Sequence, residues 1–171
     1  MTLANRSEKT AMLRLAALCA GISAVVSAFG IVFLLAFFGG LGGQYGTLND
    51  IAVILQYLLM LPIAYMLWRF VLVENKARSM GSMLIGMVGM LTVIWLQSLL
   101  VSEQIDFGTY IVIVSTGFLV AVLWFVLNGQ MGRKEYEDWP TSVGLDILAG
   151  LFFGYPFWAW KMRNWFKTES G

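Results

Sequence analysis

Histidine is absent from this 171-residue chain, and cysteine occurs once, at Cys19. Without histidine the chain lacks the commonest metal ligand, the usual axial ligand of haem and the usual general base near neutral pH. A lone cysteine forms neither an internal disulfide nor a multi-cysteine metal site. The carboxylates lie near the ends of apolar stretches or in short loops. We therefore expect no cofactor, no metal and no enzymatic activity.

Charged residues are also scarce, at 12% of the chain, and the formal net charge of +1 gives no basic field that would attract nucleic acid. About 20 apolar residues in a helix cross the bilayer core, and a helix satisfies its own backbone amides there. Four stretches that contain no charged residue therefore predict four transmembrane helices. These stretches are 15–49, 51–68, 79–102 and 107–132.

The positively charged residues lie in alternate connections between these stretches. The connections 39–50 and 103–106 contain no Lys or Arg. Because Lys and Arg are concentrated in cytoplasmic loops, the N-terminus is predicted to be cytoplasmic. The residues that carry this prediction are Arg6, Lys9, Arg14, Arg69, Lys76, Arg78, Arg133 and Lys134.

A fifth apolar segment, 143–160, contains only one charged residue, Asp146. Ser142 is a suitable helix cap, and Asp146 would suit the first turn of the helix that follows. We predict a fifth spanning helix over 142–165. The alternative is a re-entrant or interfacial segment, because its uncharged part is short for a span and a span would place three further cations outside. Those cations are Lys161, Arg163 and Lys167.

The predicted architecture is an all-α membrane protein, a bundle of four to five transmembrane helices that forms a single integral membrane domain over residues 1–171. The helices are expected at roughly 14–38, 50–73, 80–102, 107–129 and 142–165. Pro62 and Pro156 each remove a helical amide and predict kinks. Small residues on one face of the first helix indicate close packing, either within the bundle or against a partner subunit or a second copy. They are Ala16, Ala20, Ala24 and Ala28.

Polar side chains are costly inside a membrane, so each one there is a candidate for function. Gln56, Gln97 and Asp146 are the residues we expect to line a polar pathway or ligand pocket, and interhelical hydrogen bonding is the alternative. Tyr155 and Trp158 belong to the densest aromatic run of the chain. That run indicates either an interfacial anchor or a surface that binds a lipid, carotenoid or quinone-like molecule.

Two short motifs are similar to those of a loose group of small polytopic bacterial membrane proteins. The first is Leu48-Asn49-Asp50, leading into Gln56 and Leu61-Pro62, and the second is the run from Gly154 to Trp160. That group has no established activity. The resemblance implies a bacterial membrane protein and no specific reaction.

Together these features predict a non-catalytic multi-pass protein of the bacterial cytoplasmic (inner) membrane. It would act as an accessory or scaffold subunit, or as a bundle that binds a lipid or small molecule. The alternative is an oligomeric small transporter or channel subunit. Membrane lipids are the expected partners, and a partner membrane subunit or a second copy of the chain is a further option. We expect no binding of nucleic acid.

Overall fold

The structure is a computed structural model that describes residues 3–171, with side chains from residue 6 onward. Residues 1 and 2 of the predicted domain lie outside the described residues. Within that range the chain forms helices joined by turns, with no strand, and the predicted all-α bundle is confirmed. α2 ends in a π-helical turn at Leu67–Val71. The helices are α1 (Leu3–Phe38), α2 (Gly43–Met66), α3 (Lys76–Val101), α4 (Phe107–Glu135), α5 (Val143–Gly150) and α6 (Tyr155–Glu169).

The first four helices are long and apolar enough to cross a membrane, as the charge-free stretches predicted. They extend past the predicted limits: α1 begins at Leu3, α2 begins at Gly43 and α4 continues to Glu135. An apolar run marks only the part of a helix that lipid would surround, and polar turns continue the same hydrogen-bonded ladder into water.

The predicted fifth spanning helix over 142–165 is wrong. The chain instead forms α5, of 8 residues, and α6, of 15 residues, separated by a turn at 151–154. At 1.5 Å per residue α6 is about 22 Å long, too short to cross a hydrocarbon core of about 30 Å. Ser142 caps α5 as predicted, because its hydroxyl accepts a hydrogen bond from the Leu145 amide at 3.3 Å.

The turn between α5 and α6 reverses the direction of the chain. Phe152 has a φ of 76°, and the Gly154 amide donates a hydrogen bond to the Leu148 carbonyl at 2.9 Å. Pro156 lies in the first turn of α6, where a backbone N–H would have no acceptor within the helix, so its absence costs no hydrogen bond. Pro156 therefore begins a helix rather than kinking one, whereas Pro62 lies in the interior of α2.

α6 returns along α1 in the opposite direction. The Tyr155 hydroxyl, at the start of α6, lies 2.8 Å from the Ser23 hydroxyl in α1. Ser170, beyond the end of α6, shares a surface depression with Arg6 and Arg14 at the start of α1. The start of α1 and the end of α6 therefore lie at one end of the bundle, which we call the terminal end. α5 and α6 form a hairpin that enters and leaves the bundle at that end, a chain path that is compatible with the re-entrant alternative.

The six helices form a closed ring only at the terminal half of the bundle. α1 packs on α2, α2 on α3, and α3 on α4, while the α5–α6 hairpin bridges α4 and α1. The hairpin tip lies about midway along α4, with Gly150 against the backbone of Val122, and about three-quarters of the way along α1, with the Phe152 ring beside Gly30. In the other half, beyond the tip, a gap separates α1 from α4.

The small residues of α1 are covered by the chain itself. Ala16, Ala20 and Ala24 are buried, together with Ser23 and Ser27 on the adjacent row. The largest packing partners of α1 are α2 and α6. Most of these small residues therefore allow helices inside the bundle to approach closely, although Ala28 at the end of the row is exposed.

Candidate functional site

A buried ion pair joins the hairpin to α4. The Asp146 carboxylate is completely buried, and it lies 2.7 Å from a guanidinium nitrogen of Arg133. The Trp158 indole donates a hydrogen bond to the same carboxylate at 3.2 Å, and Arg133 also donates to the Thr141 carbonyl at 2.9 Å. Gly129 in α4 permits this arrangement, because a β-carbon there would collide with the Asp146 carboxylate. The structure thus places Asp146 at a joint between helices.

Tyr155 and Trp158 lie in an aromatic core beside this joint. The Trp158 ring is 4.9 Å from that of Phe125 and 6.2 Å from that of Trp124, between ring centroids. Tyr155 stacks on Trp158 at 6.0 Å, and both side chains are at most 1% exposed. Their rings therefore fill the interior of the bundle, while Phe157 and Trp160 of the same run point outward.

A second polar group forms in the half of the bundle beyond the hairpin tip. Gln97 of α3 is 1% exposed. Its amide nitrogen donates a hydrogen bond to Asp50 of α2, and its amide oxygen accepts one from the Tyr110 hydroxyl of α4. The Asn49 amide nitrogen contacts the same Asp50 oxygen at 3.4 Å. Polar side chains of three helices therefore converge at one level, and we call these four residues the polar group.

The polar group lies on the wall of a cavity of about 260 Å³ that occupies the gap between α1 and α4. The hairpin tip closes the cavity at its inner side through Phe152 and Phe153. The remaining wall is apolar and largely aromatic. It consists of Leu34, Phe38, Val53, Phe107, Ile111 and Phe118.

A neighbouring cavity of about 250 Å³ continues from this space toward the connections 39–42 and 102–106. Both cavities share Asn49 and Asp50, so the carboxylate stands where the two meet. Phe38, Phe107 and Phe153 are each more than half exposed on the outside of the bundle. The gap is thus open sideways, toward the space that lipid would occupy, and toward one end of the bundle.

The Asp50 carboxylate, which lines both cavities, offers acceptor oxygens to a bound molecule. The Asn49 side-chain oxygen is buried and has no hydrogen-bond partner among the described residues. No Lys or Arg of the described residues lines either cavity. The site is therefore suited to a group that donates hydrogen bonds or carries a positive charge. In the described part of the chain no three His, Cys, Asp or Glu side chains form a metal-binding group.

Gln56 lies deeper than the polar group and outside the cavity wall. It is 2% exposed, and its side-chain oxygen has no hydrogen-bond partner among the described residues. Its neighbour Tyr57 contacts the cavity-lining Phe118, with ring centroids 6.4 Å apart. Of the five residues proposed from sequence, only Gln97 lines the cavity.

Sequence reasoning missed Asn49, Asp50 and Tyr110 as members of the site. The helix predicted over 50–73 would place Asp50 at a helix end. Because α2 begins at Gly43, Asp50 lies two turns inside the helix, at the level of Gln97 in α3. The signal that could have identified it is the pair Asn49-Asp50 immediately before an 18-residue apolar run, on the same helix face as Val53.

Comparisons of this chain with family models, with curated proteins and with solved structures gave no match.

Proposed function

We propose that this protein is a non-catalytic, multi-pass protein of the bacterial inner membrane that binds an amphiphilic small molecule or lipid in the gap between α1 and α4. The observation that supports this proposal most strongly is the incomplete ring. The hairpin fills the space between α1 and α4 only as far as Phe152 and Phe153, and the space beyond it is the cavity that contains the polar group.

The chemistry of the wall defines the class of ligand. An apolar chain fits the side that Phe38, Phe107 and Phe153 form, where the gap is open to lipid. A polar head fits beside Asp50 and Asn49, and it would donate hydrogen bonds or carry a positive charge because the wall supplies acceptors. The ligand we propose is therefore a single-chain amine or alcohol, or a lipid with an equivalent head group.

The side of the membrane follows from the distribution of charge. The terminal end carries Arg6, Lys9 and Arg14 of α1 together with Lys161, Arg163 and Lys167 of α6, and cytoplasmic loops are rich in such residues. With the hairpin folded back, the cations that a fifth span would have placed outside lie with the rest. The cavity then opens toward the outer leaflet.

Photolabelling in lipid nanodiscs tests the binding proposal. The probe is a long-chain alkylamine that carries a diazirine at mid-chain, and labelled residues are identified by mass spectrometry. We expect labels on the cavity wall, at residues such as Ile111 and Phe153, and competition by unlabelled alkylamine. Labels spread evenly over the lipid-facing surface would contradict the proposal.

Two neighbouring residues of α3 provide a matched pair of variants. Gln97 lines the cavity, whereas the neighbouring Ser98 is exposed and outside the cavity lining, and its hydroxyl donates a hydrogen bond to the Ile94 carbonyl of its own helix, at 2.7 Å. Gln97→Ala should reduce labelling of the cavity wall several-fold, and Ser98→Ala should leave it unchanged. Equal losses in both variants would mean that labelling does not depend on the polar group.

A transporter or channel subunit is the second candidate, and the convergence of polar residues from three helices on one cavity favours it. The core below the cavity is filled by Trp124, Phe125, Tyr155 and Trp158, so this conformation provides no polar route to the terminal end. Transport would require the hairpin to move. Uptake of the alkylamine into proteoliposomes, faster than into protein-free vesicles, would select this candidate over a binding protein.

A further inference from the structure

A second groove, of about 600 Å³, runs along the outside of the bundle between α1 and α6, near the terminal end. Its α1 side is formed in part by Leu18, Ile22 and Val25, which are all more than 40% exposed. Its α6 side includes the exposed indole of Trp160. Most of its surface is therefore apolar and faces the region that lipid chains would occupy.

Three cations line the same groove: Arg14 of α1, and Arg163 and Lys167 of α6. Among the described residues the only ion pair is the one between Arg133 and Asp146, so none of the three is neutralised by a carboxylate within the described chain. Three like charges at one site repel one another, and an anion placed among them would remove that repulsion.

Arg163 is held in position by two contacts. Its guanidinium carbon lies 4.5 Å from the centroid of the Trp160 ring, which is the geometry of a cation–π interaction. Its side chain also lies across Gly21 of α1, where a β-carbon would come within 2.8 Å of the Arg163 Cδ and 2.9 Å of its Nε. Gly21 thus provides the space that lets the guanidinium face the groove.

The order of these groups along α1 matches the order of groups in a phospholipid. Arg14 is the last charged residue before the apolar stretch of α1, and Leu18, Ile22 and Val25 follow at helical spacing along one face. A phosphate at the level of the cations would therefore have its acyl chains beside the apolar residues. Basic pockets between membrane helices on the cytoplasmic side are suited to anionic lipid head groups.

We propose that the groove between α1 and α6 is a binding site for an anionic phospholipid, with its phosphate among Arg14, Arg163 and Lys167 and an acyl chain along Ile22 and Val25. This site is separate from the cavity between α1 and α4, and it selects the opposite charge. A zwitterionic lipid has a positive group of its own next to the phosphate and would bind more weakly.

Native mass spectrometry of the full-length protein in a mild detergent tests the proposal. Phosphatidylglycerol and phosphatidylcholine with identical chains are titrated separately, and the fraction of protein with one lipid bound is measured. We expect phosphatidylglycerol to bind at least about fivefold more tightly than phosphatidylcholine. Each of the substitutions Arg14→Gln and Arg163→Gln should weaken phosphatidylglycerol binding about fivefold, because one cation near an anionic surface has about that effect on affinity. Equal affinity for the two lipids would overturn the proposal.

Lys134→Gln is the charge-matched control, because Lys134 is exposed at the same end of the bundle but lines a different depression. It should leave phosphatidylglycerol binding unchanged. If Lys134→Gln lost as much phosphatidylglycerol affinity as Arg163→Gln, the lipid would be attracted by net charge alone, and the proposed site would be wrong. Gly21→Leu keeps all the charges and displaces the Arg163 side chain, so it should weaken phosphatidylglycerol binding about as much as Arg163→Gln.

Glycerol 1-phosphate separates a lipid site from a site for free phosphate compounds. It carries the anionic group without acyl chains, so at millimolar concentration it should not displace phosphatidylglycerol. Displacement at that concentration would show that the apolar part of the groove contributes nothing, and the lipid proposal would be wrong. The Asp50→Asn variant of the other cavity should bind phosphatidylglycerol as the wild type does.

Discussion

Asp146 and Arg133 form an ion pair of 2.7 Å in which the Asp146 side chain is completely buried and the Arg133 side chain is 26% exposed. The two residues belong to α5 and α4, so their contact fixes the hairpin against the helix that forms one side of the cavity. The tip of that hairpin carries Phe152 and Phe153, which close the inner side of the cavity. The ion pair therefore helps to determine where the cavity ends.

Asp146→Ala should destabilise the protein strongly. The substitution leaves the guanidinium of Arg133 and the indole of Trp158 without their shared acceptor. Removing one member of a buried pair costs about 3–5 kcal/mol, and we expect the lower end of that range because Arg133 is partly exposed. Unfolding in a mild detergent, followed by circular dichroism during a titration with SDS, measures the change.

Glu137→Ala is the control for this prediction, because Glu137 is exposed in the connection between α4 and α5. Its unfolding midpoint should stay close to that of the wild type. If Asp146→Ala unfolds at the same midpoint as Glu137→Ala, the ion pair contributes nothing to the attachment of the hairpin.

The position of the C-terminus distinguishes a folded-back hairpin from a fifth span. In a Cys19→Ala background, a Ser170→Cys variant should react with a membrane-impermeant maleimide only after the cells are permeabilised. Leu41→Cys, in the exposed turn between α1 and α2, should react in intact cells. Labelling of Ser170→Cys from outside would show that the segment crosses the membrane.

The four long apolar helices could be predicted from the sequence because lipid excludes charge, and runs without charge mark where lipid would surround a chain. The hairpin could not be predicted in this way. Its apolar residues would suit a span equally well, and its reversal depends on contacts between helices, such as that of Gly150 with Val122. The position of Asp50 inside a helix could not be predicted for a related reason, because composition does not show that α2 starts as early as Gly43.

Two glycines of α5 test how the hairpin tip packs. A β-carbon at Gly150 would collide with the backbone of Val122, which cannot move aside as the end of a flexible side chain can. Gly150→Ala should therefore destabilise the protein by about 1–3 kcal/mol, as overpacking does elsewhere. Apart from the chain neighbours of Gly144 and the backbone of its own helix, no atom of the described residues lies within 4 Å of the corresponding position, so Gly144→Ala should be neutral or slightly stabilising.

Thermal unfolding of both variants in the same detergent measures this difference. The two substitutions are chemically identical and lie in one short helix, so helix propensity alone predicts equal effects. Equal unfolding temperatures would mean that the tip of the hairpin does not pack against α4 at Val122.

Asp50→Asn should change the head-group preference of the cavity between α1 and α4. The asparagine keeps the size of the side chain and an oxygen that accepts the hydrogen bond of Gln97, but it removes the negative charge. A charge-assisted hydrogen bond contributes about 1.5–3 kcal/mol, so the affinity for dodecylamine should fall about tenfold or more. The affinity for dodecanol should be unchanged, because a hydroxyl donates a hydrogen bond equally well to an amide oxygen.

Asp106→Asn is the control that removes a charge at the same end of the bundle without touching the cavity. The hydrogen bonds from the Thr109 hydroxyl, at 2.6 Å, and from its amide, at 3.0 Å, hold the pKa of the Asp106 carboxyl below its ordinary value. Asp106 is therefore ionised at neutral pH, and asparagine is also a good helix cap. Competition of the two ligands against the photoreactive alkylamine measures both affinities. If Asp106→Asn weakens the binding of dodecylamine as much as Asp50→Asn does, the affinity depends on the charge of the whole surface, and Asp50 is not the partner of the amine.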